Sequence, residues 1–338
     1  MEPLSGLGRF AKEEDNGVMR FSLSSDDKKE FGLLLKAFDS NVGASERLNE
    51  AMADGDPSLL KHAKLLKNED YERNPYFLSV TPAPTKSGAW ELTYDSYEPR
   101  QVFLSDNVAS LGAPYYEEKN PTAYFATPFH FLALKEKGTT WMSVIPHEIN
   151  TMKGPLSLMK GRLVVMGLGL GYFAFQALAK KEVSEVTVIE KDPRLIKLFN
   201  DSLLAFMPHK EKLTIVEGDA FDLSKVGFFL KKADSVFYDI WHDEEDGLEL
   251  YEKALKQEKE SPTALHSYWM EEGLLAFYRR LVIVVMDEEL NHPEDRLDEP
   301  DSLMGRTQKA LKGQFFSSYA EIAEALSDDN LKSLLKSL

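Results

Sequence analysis

The run Leu163-Val-Val-Met-Gly-Leu-Gly-Leu-Gly171 constrains this chain more than any other stretch. An apolar strand ends in glycines at every second position, Gly167, Gly169 and Gly171, and a helix-like stretch, Tyr172 to Lys181, follows at once. Glycine lets the backbone turn tightly and lets a ligand approach the main chain. The following helix start offers free N–H groups to an anion. Turns of this kind bind nucleotide-type cofactors at the carboxyl ends of parallel strands.

The next strands narrow the choice of cofactor. Val186 to Ile189 is apolar and ends in Glu190, nineteen residues past Gly171. A carboxylate there can accept from both hydroxyls of a ribose, and Lys191 beside it is assigned to the same site. Leu213 to Val216 leads into Glu217-Gly-Asp219-Ala220, and Ser235 to Tyr238 ends in Asp239. A dinucleotide fingerprint places Gly or Ala at its last position, where Tyr172 stands. NAD also leaves Asp219 unexplained. S-adenosylmethionine (SAM) explains it: the Asp219 carboxylate can accept from the adenine amino group, with Ala220 leaving room for the ring. The cofactor residues are therefore Gly167, Leu168, Gly169, Gly171, Glu190, Lys191, Asp219, Ala220 and Asp239.

From Pro146 to Asp243 the chain resembles the class I SAM-dependent methyltransferases, and within them the spermidine-synthase-like branch. Three details carry the resemblance. Val165 is apolar where ordinary class I methyltransferases have an acid two residues before the first glycine. Pro146-His147-Glu148 followed by Pro155-Leu156 resembles the Tyr-His-Glu and Pro-Leu segment of spermidine synthases, with one extra residue between. Asp234-Ser-Val-Phe-Tyr-Asp239 resembles their strand ending in the catalytic aspartate. The resemblance implies that Asp239 is catalytic and that His147 and Glu148 line the cofactor mouth. Tyr238, Trp241 and His242 surround Asp239 as candidate acceptor-binding residues, since aromatic faces attract a sulfonium or ammonium cation.

The departures matter too. Leu170 stands where spermidine synthases place an aspartate that holds the amine substrate, and Asp239-Ile-Trp-His-Asp243 lacks their proline and shifts the second acid. Loss of one of two carboxylates facing a cation costs roughly 2–5 kcal/mol. The expectation is therefore a SAM-dependent transferase, foremost a methyltransferase acting on a small-molecule or protein acceptor. Aminopropyl transfer from decarboxylated SAM is the first alternative and a non-catalytic SAM-binding scaffold the second, since a fold does not fix chemistry.

Composition excludes other classes. A net charge of −16 repels phosphate backbones and disfavours nucleic acid. The chain has no cysteine, which removes disulfides, thiol nucleophiles and iron–sulfur clusters. The longest apolar run, Leu281 to Met286, is too short to span a bilayer. No basic start with a long apolar run marks a signal peptide. A cytoplasmic protein without membrane contact is expected, with a homodimer allowed. Asp243-Glu-Glu-Asp246 reads as helix-start acids, and His147-Glu148 lacks the second histidine of a zinc motif because Thr151 stands there. No metal is assigned.

The fold expected is α/β: a Rossmann-like SAM-dependent methyltransferase fold, a three-layer parallel sheet, with a helical and small β N-terminal extension and a helical C-terminal tail. The expected division is a helical extension over 1–72, a small β domain over 73–145, the cofactor domain over 146–290 and the tail over 291–338. Residues 1 to about 25 are expected to be ordered only by docking. Helices are expected over Asp26–Phe38, Ser45–Met52 and Pro57–Leu66. Short strands are expected at Phe77–Val80, Trp90–Tyr94, Gln101–Leu104, Ala123–Phe125 and Thr140–Val144. Gly247–Glu260 reads as a helix, as does Tyr268–Glu289, although its β-branched run could be a strand. Asn291–Asp301 reads as an acidic loop. Helices are expected at Gln308–Leu311, Tyr319–Leu326 and Asn330–Leu338.

Overall fold

The computed structural model describes residues 19–291 and 299–338. The expected ordering of the first residues therefore lies largely outside the described residues, as does most of the loop from Asn291 to Asp301. The chain forms two compact units.

The larger unit, residues 51–107 and 121–271, carries a five-stranded parallel sheet. Its strands are β1 (Gly161–Met166), β2 (Val183–Glu190), β3 (Leu213–Glu217), β4 (Ser235–Tyr238) and β5 (Leu265–Tyr268), in the order β3-β2-β1-β4-β5. Helices α1 (Tyr172–Leu178), α2 (Pro193–Ser202), α3 (Leu223–Leu230) and α4 (Glu244–Gln257) connect successive strands. The Rossmann-like fold class expected from the sequence is the one observed. Near-continuous apolar strands are what a sheet covered on both faces requires: Leu163 to Met166 are buried throughout, as are Ser235 to Tyr238.

Register brings the strand ends level. Met166 pairs with both Ile189 and Tyr238, Ile189 with Val216, and Tyr238 with Tyr268. The ladder then runs on past the ends of the strands. Gly167 N–H donates to Ile189 O at 2.8 Å, Gly218 N–H to Glu190 O at 2.9 Å, Asp239 N–H to Met166 O at 2.8 Å, and Trp269 N–H to Tyr238 O at 2.9 Å. Four loop starts are thereby pinned side by side at the carboxyl edge, where ligands of such sheets bind.

The same unit holds an antiparallel sheet of Thr85–Ser87, Trp90–Tyr97, Phe129–Glu136 and Thr139–Ser143. The strand Phe129–Glu136 has no counterpart in the sequence reading. It pairs residue for residue with Trp90–Tyr97, from Trp90 opposite Glu136 to Tyr97 opposite Phe129.

Some local expectations are corrected. Of Phe77–Val80, expected as a strand, Phe77 to Ser79 lie in the helix Pro75–Ser79 and Val80 caps it: Asn74 accepts from Tyr76 N–H at 3.0 Å, and Pro75 opens the first turn. A cap and an N1 proline outweigh the aromatic residues. Pro57–Leu66 is one 3₁₀ turn, Pro57–Lys61, followed by a strand, Lys64–Leu66, beside Ala123–Phe125. The two helices expected between Asp26 and Met52 are a single helix, Ser25–Ala53. The expected helix near residues 268–289 is found at Glu271–Asn291, with its β-branched run largely buried at Val282, Ile283 and Val285. The fifth strand of the sheet is the short Leu265–Tyr268 just before it.

The smaller unit, residues 1–50, 108–120 and 272–338, is mainly helical. Within it Arg279 donates from Nε to Leu326 O at 2.8 Å and pairs with Asp328, while Arg280 pairs with Glu118. Among the described residues no helix is long and apolar enough to cross a membrane.

Candidate active site

A cavity of about 360 Å³ opens in the larger unit at the carboxyl edge of the parallel sheet. All five strand ends reach it: Gly167 to Gly169 after β1, Glu190 to Asp192 from β2, Gly218 to Phe221 after β3, Asp239 to Trp241 after β4, and Trp269 after β5. The antiparallel sheet adds Trp90, Glu136, Trp141 and Met142, and the helix Pro146–Leu158 adds Glu148.

The glycine turn is built by close approach. Gly167 has φ +101°, and a Cβ there would collide with the carbonyl oxygen of Asp239. Gly171 has φ +71°, and its Cβ would meet the Phe199 ring at 2.5 Å. Gly171 is the N-cap of α1 and does not line the cavity, so its work is helix packing. Leu170 N–H points to the Met142 thioether, 3.3 Å from Sδ.

Glu190 is held in place by main-chain donors. Leu168 N–H gives a hydrogen bond of 3.1 Å to Oε2, and Asp192 N–H one of 2.8 Å to Oε1. Burial raises its pKa, and these donors oppose the rise. Asp192 caps α2 and is gripped by Arg194, while Trp90 Nε1–H donates to its Oδ2 at 2.9 Å. The Arg194 hydrogen bond, Trp90 and the Arg194 backbone N–H hold the Asp192 carboxyl well below the usual range. Asp219 accepts from Phe221 N–H at 2.8 Å. It therefore both forms the turn and faces the cavity, alongside Ala220.

Two acids face the cavity, and no cation among the described residues lowers either of them. Asp239 is pushed up to about 7 by burial. Glu148 is held well above the usual carboxylate range, first by burial and second by the negative field of Asp239, with one opposing hydrogen bond of 3.2 Å from Ser143 N–H. The chain has four tryptophans, and all four, Trp90, Trp141, Trp241 and Trp269, line this cavity. Trp269 Nε1–H donates to Thr151 Oγ1 at 2.9 Å. The buried Trp241 Nε1 has no hydrogen-bond partner among the described residues.

Of the residues assigned from the sequence, Gly167, Leu168, Gly169, Glu190, Lys191, Asp219, Ala220, Asp239, Glu148 and Trp241 meet in this cavity. Gly171, His147, Tyr238 and His242 do not line it. Tyr238 belongs to β4, so its side chain enters the core and its hydroxyl donates to Gln257 Oε1 at 3.0 Å. His147 packs edge-on to Trp269 with centroids 6.3 Å apart, and burial lowers its pKa. His242 is exposed, with Nε2 3.3 Å from Thr140 O. Asp243 and Asp246 form a capping box at the start of α4, with Asp243 Oδ1 accepting from Glu245 and Asp246 N–H at 2.9 and 3.1 Å. Among the described residues no three His, Asp or Glu side chains converge on a metal position.

The sequence reading gave no site role to Trp90, Glu136, Trp141, Met142, Ile189, Asp192, Arg194, Leu195, Gly218, Phe221, Ile240, Leu250 or Trp269. Trp269 was within reach, because it follows a strand end as Asp239 does. Trp90 and Trp141 carried no local signal, because a separate sheet brings them to the site.

No protein-family model and no curated protein sequence matches this chain. Among solved structures the chain is similar to spermidine synthase from Thermotoga maritima, with a TM-score of 0.31 and 15% identity, over 44% of this chain and 54% of that one. It is likewise similar to a spermidine synthase in complex with the transition state analogue AdoDATO, with a TM-score of 0.31 and 17% identity over the same shares. The alignments thus span about half the length of those synthases.

Proposed function

We propose that this chain is a SAM-dependent transferase, foremost a methyltransferase acting on a small-molecule or protein acceptor. One observation carries the reading: the glycine turn, Glu190, Asp219 and Asp239, on four different strand ends, line one cavity.

The residues present fit the cofactor. Glu190, fixed by Leu168 and Asp192, presents a carboxylate to ribose hydroxyls. Asp219, with Ala220 and Phe221, forms a wall with an acceptor for the adenine amino group. The glycines keep side chains out of the space between. SAM would supply a methyl group activated by its sulfonium. The chain's own part is to hold both reactants, to exclude water behind indole walls and to take a proton at the Asp239 carboxylate. A base whose pKa lies near the working pH is well matched to that last task, and positioning supplies much of the rate in such transfers.

Leu170 is fully buried and does not line the cavity, so it cannot stand in for the amine-holding aspartate of spermidine synthases. This weighs against aminopropyl transfer. Tyr172 is also absent from the cavity wall; its hydroxyl accepts from Asn74 Nδ2 at 2.8 Å. SAM binding without turnover of any acceptor, with the pocket closed by Tyr172 and Trp241, would favour a non-catalytic scaffold; of these two residues Trp241 lines the cavity and Tyr172 does not.

The test is calorimetry with SAM, S-adenosylhomocysteine, decarboxylated SAM and NAD side by side. Micromolar binding of SAM and its homocysteine product, with decarboxylated SAM weaker, supports the reading. Preference for decarboxylated SAM redirects it to aminopropyl transfer, and binding of none of the four ends it.

A further inference from the structure

We propose that Glu148 and Asp239 together form the counter-ion for a sulfonium cation and give up a proton when that cation binds. The inference rests on the cofactor reading above and goes further, in naming Glu148 as a working partner of Asp239 and in predicting a charge preference.

The argument begins with what surrounds the two acids. Both face the same cavity, Glu148 from the first turn of the helix Pro146–Leu158 and Asp239 from the end of β4. Glu148 is 9% exposed and accepts a single backbone hydrogen bond, from Ser143. Tyr97 and the neighbouring His147 are uncharged when burial governs them. The other ionisable groups lining the cavity are Glu136, Glu190, Lys191, Asp192, Arg194 and Asp219. Its two cations are both exposed, and Arg194 is committed to Asp192. Neither lowers Glu148 or Asp239. A pair of acids buried without a counter-ion holds protons near neutral pH, and a cation arriving among them favours their ionised forms. Tryptophan faces add to the attraction of a cation, and Trp141, Trp241 and Trp269 share this cavity.

The balance of the transfer follows. A bond forms between the acceptor's nucleophilic atom and the methyl carbon, and the methyl–sulfur bond breaks, with its electron pair going to sulfur. The positive charge on sulfur disappears, and the acceptor's proton passes to the acid pair. The site thus loses a cation as it gains a proton, and its net charge is unchanged. The pair would thereby favour the charged reactant over the neutral thioether product.

The experiment is calorimetry of the full chain at pH 7 with SAM and with S-adenosylhomocysteine, each in phosphate and in Tris, whose ionisation enthalpies differ. SAM binding is expected to release about one proton, to tighten between pH 6 and 8, and to be about tenfold tighter than binding of the thioether, which releases little. Glu148→Gln and Asp239→Asn, each checked for folding by circular dichroism, should each reduce the proton release and narrow the preference for SAM. Equal affinity for the two ligands, or a SAM enthalpy that does not depend on buffer, would overturn the proposal while leaving the cofactor reading intact. Absence of binding by either ligand overturns both.

Discussion

Leu168 and Glu190 are locked together: the N–H of a residue in the glycine turn donates to Oε2 of the acid at the end of the neighbouring strand, at 3.1 Å. The bond crosses from the β1 loop to β2, so these two cavity-lining elements hold one geometry. Asp192 N–H completes the grip on Oε1 at 2.8 Å. Glu190 is thus both part of the cavity wall and a brace for it.

Glu190→Ala is therefore expected to act twice. It removes the ribose acceptor, which should weaken SAM binding about tenfold or more. It also leaves the N–H groups of Leu168 and Asp192 without their partner, at about 1–3 kcal/mol each where water cannot replace it. Glu190→Gln keeps an acceptor oxygen and should recover part of the stability. Calorimetry and thermal melting on the two variants separate the roles. Unchanged affinity in Glu190→Ala would remove the ribose assignment.

Gly167→Ala tests the turn itself. The position has φ +101°, a conformation that costs a residue with a Cβ on the order of 1–3 kcal/mol, and the added carbon meets the Asp239 carbonyl. Overpacking adds a similar amount. Urea unfolding should show a loss of about 2–5 kcal/mol, with ligand binding impaired even where the variant still folds. A variant as stable as the parent would mean that the two loops do not approach this closely.

The glycine turn and the acids that end the next three strands were legible because each is local: an apolar run, then a residue type that the strand end requires. Thirteen residues lining the cavity were given no role. Trp90 and Trp141 reach the site through the antiparallel sheet, whose longest pairing, Trp90–Tyr97 with Phe129–Glu136, joins segments some forty residues apart. No local periodicity reports such a pairing. Tyr238 shows the opposite error. It sits next to Asp239 in sequence, but strand side chains alternate in direction, and it points into the core, where it meets Gln257.

The pH dependence of stability follows from Asp239. Its folded-state pKa lies at about 7, above the usual 3.8, because burial penalises the charged form. A raised acid binds its proton more tightly when folded, so its favourable contribution is complete below pH 4 and is lost as pH rises through 7. Glu148 is raised in the same direction. The parent should therefore lose stability between pH 5 and 8, with Asp239 accounting for about 2–4 kcal/mol of the loss. Asp239→Asn should be the more stable protein at pH 8 and show a shallower decline. Urea denaturation at the two pH values decides the point, and a parent that gains stability over this range would show that Asp239 is not buried as described.

The two buried tryptophans of the cavity, Trp241 and Trp269, differ in one respect that mutation can read. Trp269 Nε1–H donates to Thr151 Oγ1 at 2.9 Å, and that hydroxyl in turn donates to His147 O at 2.9 Å. Trp241 is also enclosed, at 3% exposure, but its Nε1 has no partner among the described residues. Phenylalanine removes the N–H and part of the ring in both cases. At Trp269 the change costs the lost contacts and also a hydrogen bond to a buried hydroxyl, about 1 kcal/mol more. At Trp241 no hydrogen bond to a described residue is lost, so the cost is that of the lost contacts alone. Trp241→Phe should therefore be the milder substitution by about 1 kcal/mol in urea unfolding. Intrinsic fluorescence adds a second reading, because every tryptophan of the chain lines the cavity: a ligand that fills it should change the emission of the parent, and each Phe variant should remove part of that change. If Trp241→Phe proves the costlier substitution, its indole N–H has a partner in solution, and the first acceptor to look for is a water held beside Asp239.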